Sequence, residues 1–349
     1  MMAGPSPITL CRTSAIALLS CCWVGLAAGA AEPRSVALRQ DDHGVTVEAA
    51  GRPFASYVVD ESNKPYLWPV FGPTGKAMTR AYPMQDIPEE PAAQRDHPHH
   101  RGLTFGHENI ADTDTWHDRS TFESDNKNHH RVAGLGRIVH REFSKLESNG
   151  DRAVIEENCD HVDSAGKPVL VERRRLTFRA DEATRCIDID QEFSPVSGSG
   201  PLQLGDNKDA GLLVRVPTTM AVDSKQGGRI VNSEGQVNQD AWSQPARWCD
   251  YHGPVAGELL GIAFLNHPAS YRHPTRWHVR TYGLFAANPF AQRGYDPALT
   301  DAATTLGSGE TLRLHHRILL HSGDEAAGGV AAAWQAYARE TPKPLSAAR

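Results

Sequence analysis

A large antiparallel β-sandwich, all-β apart from one helix near the C-terminus, is the fold class that this 349-residue sequence predicts. Apolar and polar residues alternate with a period of two through eight segments. Gly, Pro, Asp and Asn cluster between those segments, and a helical pattern is convincing in one place. A period of two sends successive side chains to opposite faces of a half-buried sheet.

The alternation begins at 45–49 and recurs at 138–146, 154–161, 169–178, 185–193, 211–216, 259–266 and 311–321, each segment of strand length. In the fourth, Leu170, Glu172, Arg174, Leu176 and Phe178 share a parity and therefore a face, which puts two charged groups toward the interior. Buried charges need partners. A polar ligand pocket on a concave sheet and an internal ion pair both meet that need. In the last segment His316 shares its face with Leu312, Leu314, Ile318 and Leu320 and reads as a core histidine. The helix is expected at about 325–339, capped by Asp324, with Trp334 and Tyr337 on the face that packs against the sandwich. No fixed-period repeat or low-complexity linker interrupts the chain, so 31–349 reads as one domain.

Residues 1–30 read as a cleaved export signal. Arg12 is followed by an apolar stretch and then by Ala27, Ala28, Gly29, Ala30 and Ala31, the small residues a signal peptidase needs. The stretch falls short of the roughly 20 residues that span a bilayer, and no later one is long enough, so the mature chain is expected in the periplasm or outside the cell. Export leaves Cys159, Cys186 and Cys249. Buried free thiols are the preferred reading, with a Cys159–Cys186 disulfide as the alternative. A formal net charge of -6 with mixed signs and no basic stripe argues against a nucleic-acid partner. No glycine-rich nucleotide loop and no Gly-x-Ser-x-Gly elbow is present, which excludes a nucleotide cofactor and the α/β-hydrolase mechanism.

Two long segments, 83–101 and 267–294, break the alternation, and long loops in compact domains are often functional. Eight of the 17 histidines lie between His97 and His140. His99, His100, His107 and Glu108 flank a short apolar strand and supply the donors of a divalent-metal site under one reading. Under another, His100 and His107 are acid–base groups near neutral pH. His129, His130 and His140 read as surface residues. The zincin spacing is absent and the cupin spacing incomplete. Asp250 lies between the aromatic residues Trp248 and Tyr251, a pattern suited to sugars. Pro268, Pro274 and Pro289 stiffen the second long segment, which carries Trp277, His278 and Asn288. Asp206, in a polar turn, reads as a turn former.

The leading functional expectation is acid–base chemistry on a glycan or sugar derivative: epimerisation, elimination or hydrolysis. His100 or His107 donates a proton and Glu172 or Asp250 accepts one. Arg101 and Arg174 stabilise negative charge, while Trp277, His278 and Asn288 bind substrate. The alternatives are a metal-dependent oxygenase or hydrolase using His99, His100, His107 and Glu108, and a glycan-binding module without catalysis.

Several runs resemble a family of exported bacterial proteins that carry the label "methane oxygenase PmoA". They are Asp96 to Leu103 with Phe105, Gly106 and His107; Gly205 and Asp206 with Gly211 and Arg215; Trp248 to Tyr251; and His273 to Arg280 with Tyr282 to Phe290. The methane monooxygenase subunit of that name crosses the membrane with several helices, and this chain has no such segment. The resemblance therefore implies export and a sandwich like that of the galactose mutarotases, and it supplies no catalytic residues of its own.

Overall fold

The structure, a computed structural model, describes residues 35–345 together with 1, 2 and 4, so the expected export signal lies outside the described residues apart from those three. Two eight-stranded sheets, antiparallel throughout, face each other. The spatial order in the first is β1 (Val36–Asp41), β2 (Gly44–Ala49), β3 (Arg52–Val58), β4 (Tyr66–Val70), β5 (Leu103–His107), β11 (Ala210–Arg215), β16 (Leu284–Asn288) and β15 (Arg276–Val279). In the second it is β12 (Arg229–Asn232), β13 (Trp248–Val255), β14 (Glu258–Asn266), β18 (Leu312–Ser322), β9 (Thr184–Pro195), β8 (Pro168–Ala180), β7 (Arg152–Val162) and β6 (Arg137–Asn149). A small ribbon pairs β10 (Leu202–Leu204) with β17 (Thr304–Leu306). Among the described residues, α-helix is confined to α1 (Arg119–Phe122) and α2 (Val330–Tyr337), and no helix is long and apolar enough to cross a membrane.

The sandwich predicted from alternation is therefore the observed fold, and each of the eight alternating segments lies in a strand or overlaps one. The inner faces meet in one large core. Phe54 of the first sheet packs edge-on against Phe178 of the second, with ring centres 5.5 Å apart, and Phe105 meets Phe193 at 4.8 Å. Such pairs add about 0.5–1.5 kcal/mol beyond the area they bury.

The segment 267–294, expected as a loop, contains β15 and β16. All five residues of β16 are buried, so both of its faces are covered and the run shows no alternation to betray it. The helix is shorter than expected. Asp324 caps a separate turn by accepting the Ala327 N–H at 2.8 Å, and α2 begins only after Gly329, which is left-handed with φ 62°. Its Val330 and Tyr337 bury against Trp248, Ala263, Leu265 and Leu319 on the outer face of the second sheet. Cys159, Cys186 and Cys249 are free. Cys159 faces the main core, whereas Cys186 packs with the outer cluster under α2, and β8 runs between their strands, so a Cys159–Cys186 bridge has no geometry to form.

Asp206 is the turn former its sequence context implied. Its carboxylate accepts the backbone N–H groups of Gln292, Gly294, Arg293 and Ala302 at 2.6–3.0 Å. Burial alone would raise its pKa, but these four donors outweigh it and hold the carboxyl below its usual value. Asp206→Ala is expected to destabilise the protein by about 1–3 kcal/mol in urea unfolding, because donors lose their partner.

Candidate functional site

The outer face of the first sheet is where histidines gather. On β11, Leu212 and Val214 enter the main core, so Leu213 and Arg215 point outward. Leu213 joins Leu284, Ala286 and Trp116 in a small separate apolar cluster, with Tyr282 at its edge. The chain after β5 returns over this face. A Cβ at Gly106 would lie 3.0 Å from the Trp116 Cα and 3.1 Å from the Thr115 oxygen, so only glycine lets residues 115 and 116 press this closely on the strand. The segment before β5 lies beside it and brings Asp96, His97, His99 and His100 against the same cluster.

Four imidazoles form a continuous row there. His117 lies 4.5 Å from His99, His99 4.3 Å from His100, and His100 4.9 Å from His97, which stacks on Tyr282 at 5.5 Å. Each is held through Nδ1. The partners are Asp96 Oδ2 for His97 at 2.8 Å, Thr121 Oγ1 for His99 at 2.8 Å, Arg215 Nη1 for His100 at 3.3 Å and Asp114 Oδ2 for His117 at 2.9 Å. The Nε2 atom of all four makes no hydrogen bond among the described residues.

These partners assign the ring protons. A guanidinium only donates, so His100 Nδ1 accepts and its Nε2 carries hydrogen. A carboxylate only accepts, so His117 Nδ1–H donates to Asp114, and in the neutral ring Nε2 offers a lone pair. Arg131 Nη2 also approaches His117 Nδ1, but at 3.4 Å the contact is weaker than the one to Asp114. Thr121 donates to Asp118 Oδ1 at 3.2 Å, which leaves Oγ1 to accept from His99 and makes His99 Nε2 a second lone pair. Burial pushes His99 and His100 well below the usual imidazole pKa. The neighbouring imidazoles add to this, His117 for His99 and His99 for His100, so both are neutral at pH 7.

Charges brace the row. Asp96 accepts from Arg215 at 2.7 Å and from Arg80 at 3.0 Å. Burial would raise Asp96, but the His97 hydrogen bond and the two guanidinium charges hold it far below the carboxylate range. Arg101 reaches Asp118 at 3.5 Å while its buried Nε has no partner. Lys64 donates to the Thr115 and Trp116 oxygens, and burial lowers it to about 8.

The four expected catalytic residues are not brought together. His100 is in the row, but His107 shares its parity on β5 with Leu103 and Phe105 and points into the sandwich. There its Nδ1 accepts the Asn109 N–H at 2.9 Å, its Nε2 has no partner, and burial lowers its pKa to about 3. Glu172 is also inside. It accepts from His161, Gln191 and two nitrogens of Arg174 at 2.8–2.9 Å, and Arg174 donates onward to Tyr57 at 2.8 Å. Of the two readings for this pair, the geometry is that of an internal ion pair. Asp250 lies on the outer face of the other sheet.

Among the expected binding residues only Arg101 stands beside the row. Arg174 is in the internal network. Trp277 is fully buried, packs on Phe264 and Phe285 and donates to the Ala246 oxygen, so it has no face for a ligand. His278 and Asn288 hold the 205–209 turn by its backbone oxygens, at 2.6–3.0 Å. The expected metal set does not converge either, because strand parity separates His107 from His99 and His100. Glu108 instead groups with Asp114 and His117, donor atoms within 4.8 Å of one another. Arg131 already supplies the cation there, at 2.5 Å from Glu108 and 3.3 Å from Asp114. His129 and His130 are exposed as expected, while His140 is half-buried and bonds to Glu157 at 2.6 Å.

Sequence reasoning passed over Asp114, His117, Asp118, Thr121 and Tyr282 as site residues. A signal existed in the Asp114-x-x-His117 spacing, which lets a carboxylate fix an imidazole within one turn.

Residues 44–335 match the model of a family described as a family of unknown function, DUF6807. No curated protein matches the chain. Among solved structures, a galactose mutarotase-like protein from Clostridium acetobutylicum is similar over 84% of this chain and 100% of its own, at 9% identity and a TM-score of 0.39. An alpha-galactosidase from Lactobacillus brevis is similar over 84% of this chain at 11% identity and a TM-score of 0.38; the chain spans 40% of that enzyme's length. Nothing in these matches supports the methane-oxygenase label that the sequence resemblance carried.

Proposed function

We propose that this chain, which belongs to the DUF6807 family, is an exported carbohydrate-active protein whose site is the histidine row on the outer face of the first sheet. The carrying observation is that four neighbouring imidazoles are fixed through Nδ1 and leave Nε2 free. Sugar hydroxyls both donate and accept, and the row offers both: lone pairs on His99 and His117, an N–H on His100, and the unpartnered Nε of Arg101.

Such a row can move a proton. His99 or His117 takes one from carbon or from a hydroxyl, while the neutral His100 N–H polarises the oxygen on which charge develops, aided by Arg101 and Arg215. Burial keeps His99 and His100 neutral, so neither is a protonated acid ready to serve a leaving group, which favours epimerisation or elimination over hydrolysis.

A panel of glycosides, uronates and their oxidised derivatives tests this reading by thermal shift and product analysis. At least one compound is expected to raise the unfolding temperature and to be converted. A panel that produces neither effect contradicts the proposal, and binding without product leaves a glycan-binding module.

A further inference from the structure

On the outer face of the second sheet, away from the histidine row, Asp250 is a fully buried carboxylate whose side-chain partners are imidazoles. His252 Nδ1 lies 2.6 Å from Oδ1, and His321 Nε2 lies 2.7 Å from Oδ2. Glu325, half-buried in the turn before α2, places Oε2 3.6 Å from the same His252 Nδ1. No Lys or Arg ion-pairs with Asp250 or Glu325 among the described residues. Two carboxylates drawn together in a site this buried need positive charge, and only the His252 and His321 imidazoles stand near enough to supply part of it.

We infer that Asp250, His252 and Glu325 bind a divalent transition metal of the zinc class. Their donor atoms lie within 4.8 Å of one another, and one imidazole with two carboxylates is a borderline-soft donor set. Bonds of roughly 2.0–2.2 Å in a tetrahedral site put donors about 3.3–3.6 Å apart, so Glu325 Oε2 already stands at ligand spacing from His252 Nδ1 at 3.6 Å, and the 2.6 Å contact of His252 Nδ1 with Asp250 Oδ1 has to open by about 1 Å. His321 then acts as the positioning group that hydrogen-bonds the second oxygen of the ligating carboxylate. Its ring is held for that purpose: a Cβ at Gly261 would lie 2.2 Å from Cε1, and one at Gly328 would lie 2.2 Å from Nδ1. The +2 charge balances Asp250 and Glu325, and the metal fastens the 322–329 turn, and with it α2, to β13.

Contrast with the Glu108, Asp114 and His117 group supports the choice, because there Arg131 already fills the cation's place. The test is calorimetric titration of untagged, chelator-stripped protein with Zn²⁺ alone, with unfolding temperature read in parallel. A single equivalent is expected to bind and to raise that temperature. Glu325→Gln should weaken binding by more than about 100-fold, and His321→Asn by about 10–100-fold, while Glu108→Gln leaves it unchanged. Circular dichroism confirms that each variant is folded. Failure of the wild type to bind zinc, full-strength binding by Glu325→Gln, or loss in Glu108→Gln overturns the assignment.

Discussion

In His99→Gln and His117→Gln, conversion of whichever sugar derivative the protein accepts is expected to fall by about 10²–10⁴-fold, the usual range for losing a positioned proton-transfer group. Each variant removes an Nε2 lone pair and replaces it with an amide that does not take protons at neutral pH. His100→Gln should also lower turnover, but by less, because the amide can still offer an N–H where the imidazole offered one. Unfolding temperatures should move less than rates, since His99 and His100 each make one side-chain hydrogen bond and His117 makes one to Asp114 with a weaker contact to Arg131. Initial rates at saturating substrate, set beside unfolding curves, check this. Unchanged rates in both His99→Gln and His117→Gln would remove the row from the chemistry.

Replacing Arg174 with Met is expected to cost about 3–5 kcal/mol of stability and to leave turnover per folded molecule unchanged. Arg174 is the cation of an enclosed network in which Glu172 and Glu157 are both fully buried side chains. Removing one partner of a buried pair strands the other's charge. The same pair predicts a pH dependence. Burial alone would raise Glu172, but the Arg174 charge and the His161 hydrogen bond bring its carboxyl down to about 2. A depressed folded value means that the contribution is fully present above the unfolded carboxylate value of about 4.3, and that it fades as pH falls toward the folded value. Urea unfolding at a series of pH values should show wild-type stability dropping over that window, and Arg174→Met should lose most of that part of the curve. A stable Arg174→Met variant that has lost turnover would instead return Glu172 and Arg174 to the chemistry.

Period-two alternation made the fold readable wherever one face of a strand is buried and the other half-exposed, as in β2 and β8. It failed at β16, where both faces are covered and Leu284-Phe285-Ala286-Ala287-Asn288 reads as a plain apolar run. Parity also located Glu172 and Arg174 in the interior, but it does not distinguish a pocket from an ion pair, because both satisfy a buried charge. For His107 the same argument was available and decisive, since Leu103, Phe105 and His107 alternate with Thr104 and Gly106. Pairing order hid the rest of the candidate site: β5, β11 and β16 become neighbours only in space, so nothing local in sequence joins His100 to Arg215 or His97 to Tyr282.

Binding at the histidine row can be followed at the imidazole nitrogens by ¹⁵N NMR while a converted or bound sugar derivative is titrated in, with assignments from single His→Gln variants. The Nε2 resonances of His99, His100 and His117 are expected to shift together with saturation, while those of His107, His161, His252 and His321 stay in place. Saturable binding that leaves the row unmoved and shifts the histidines of the sandwich interior or the second sheet would contradict the proposed site.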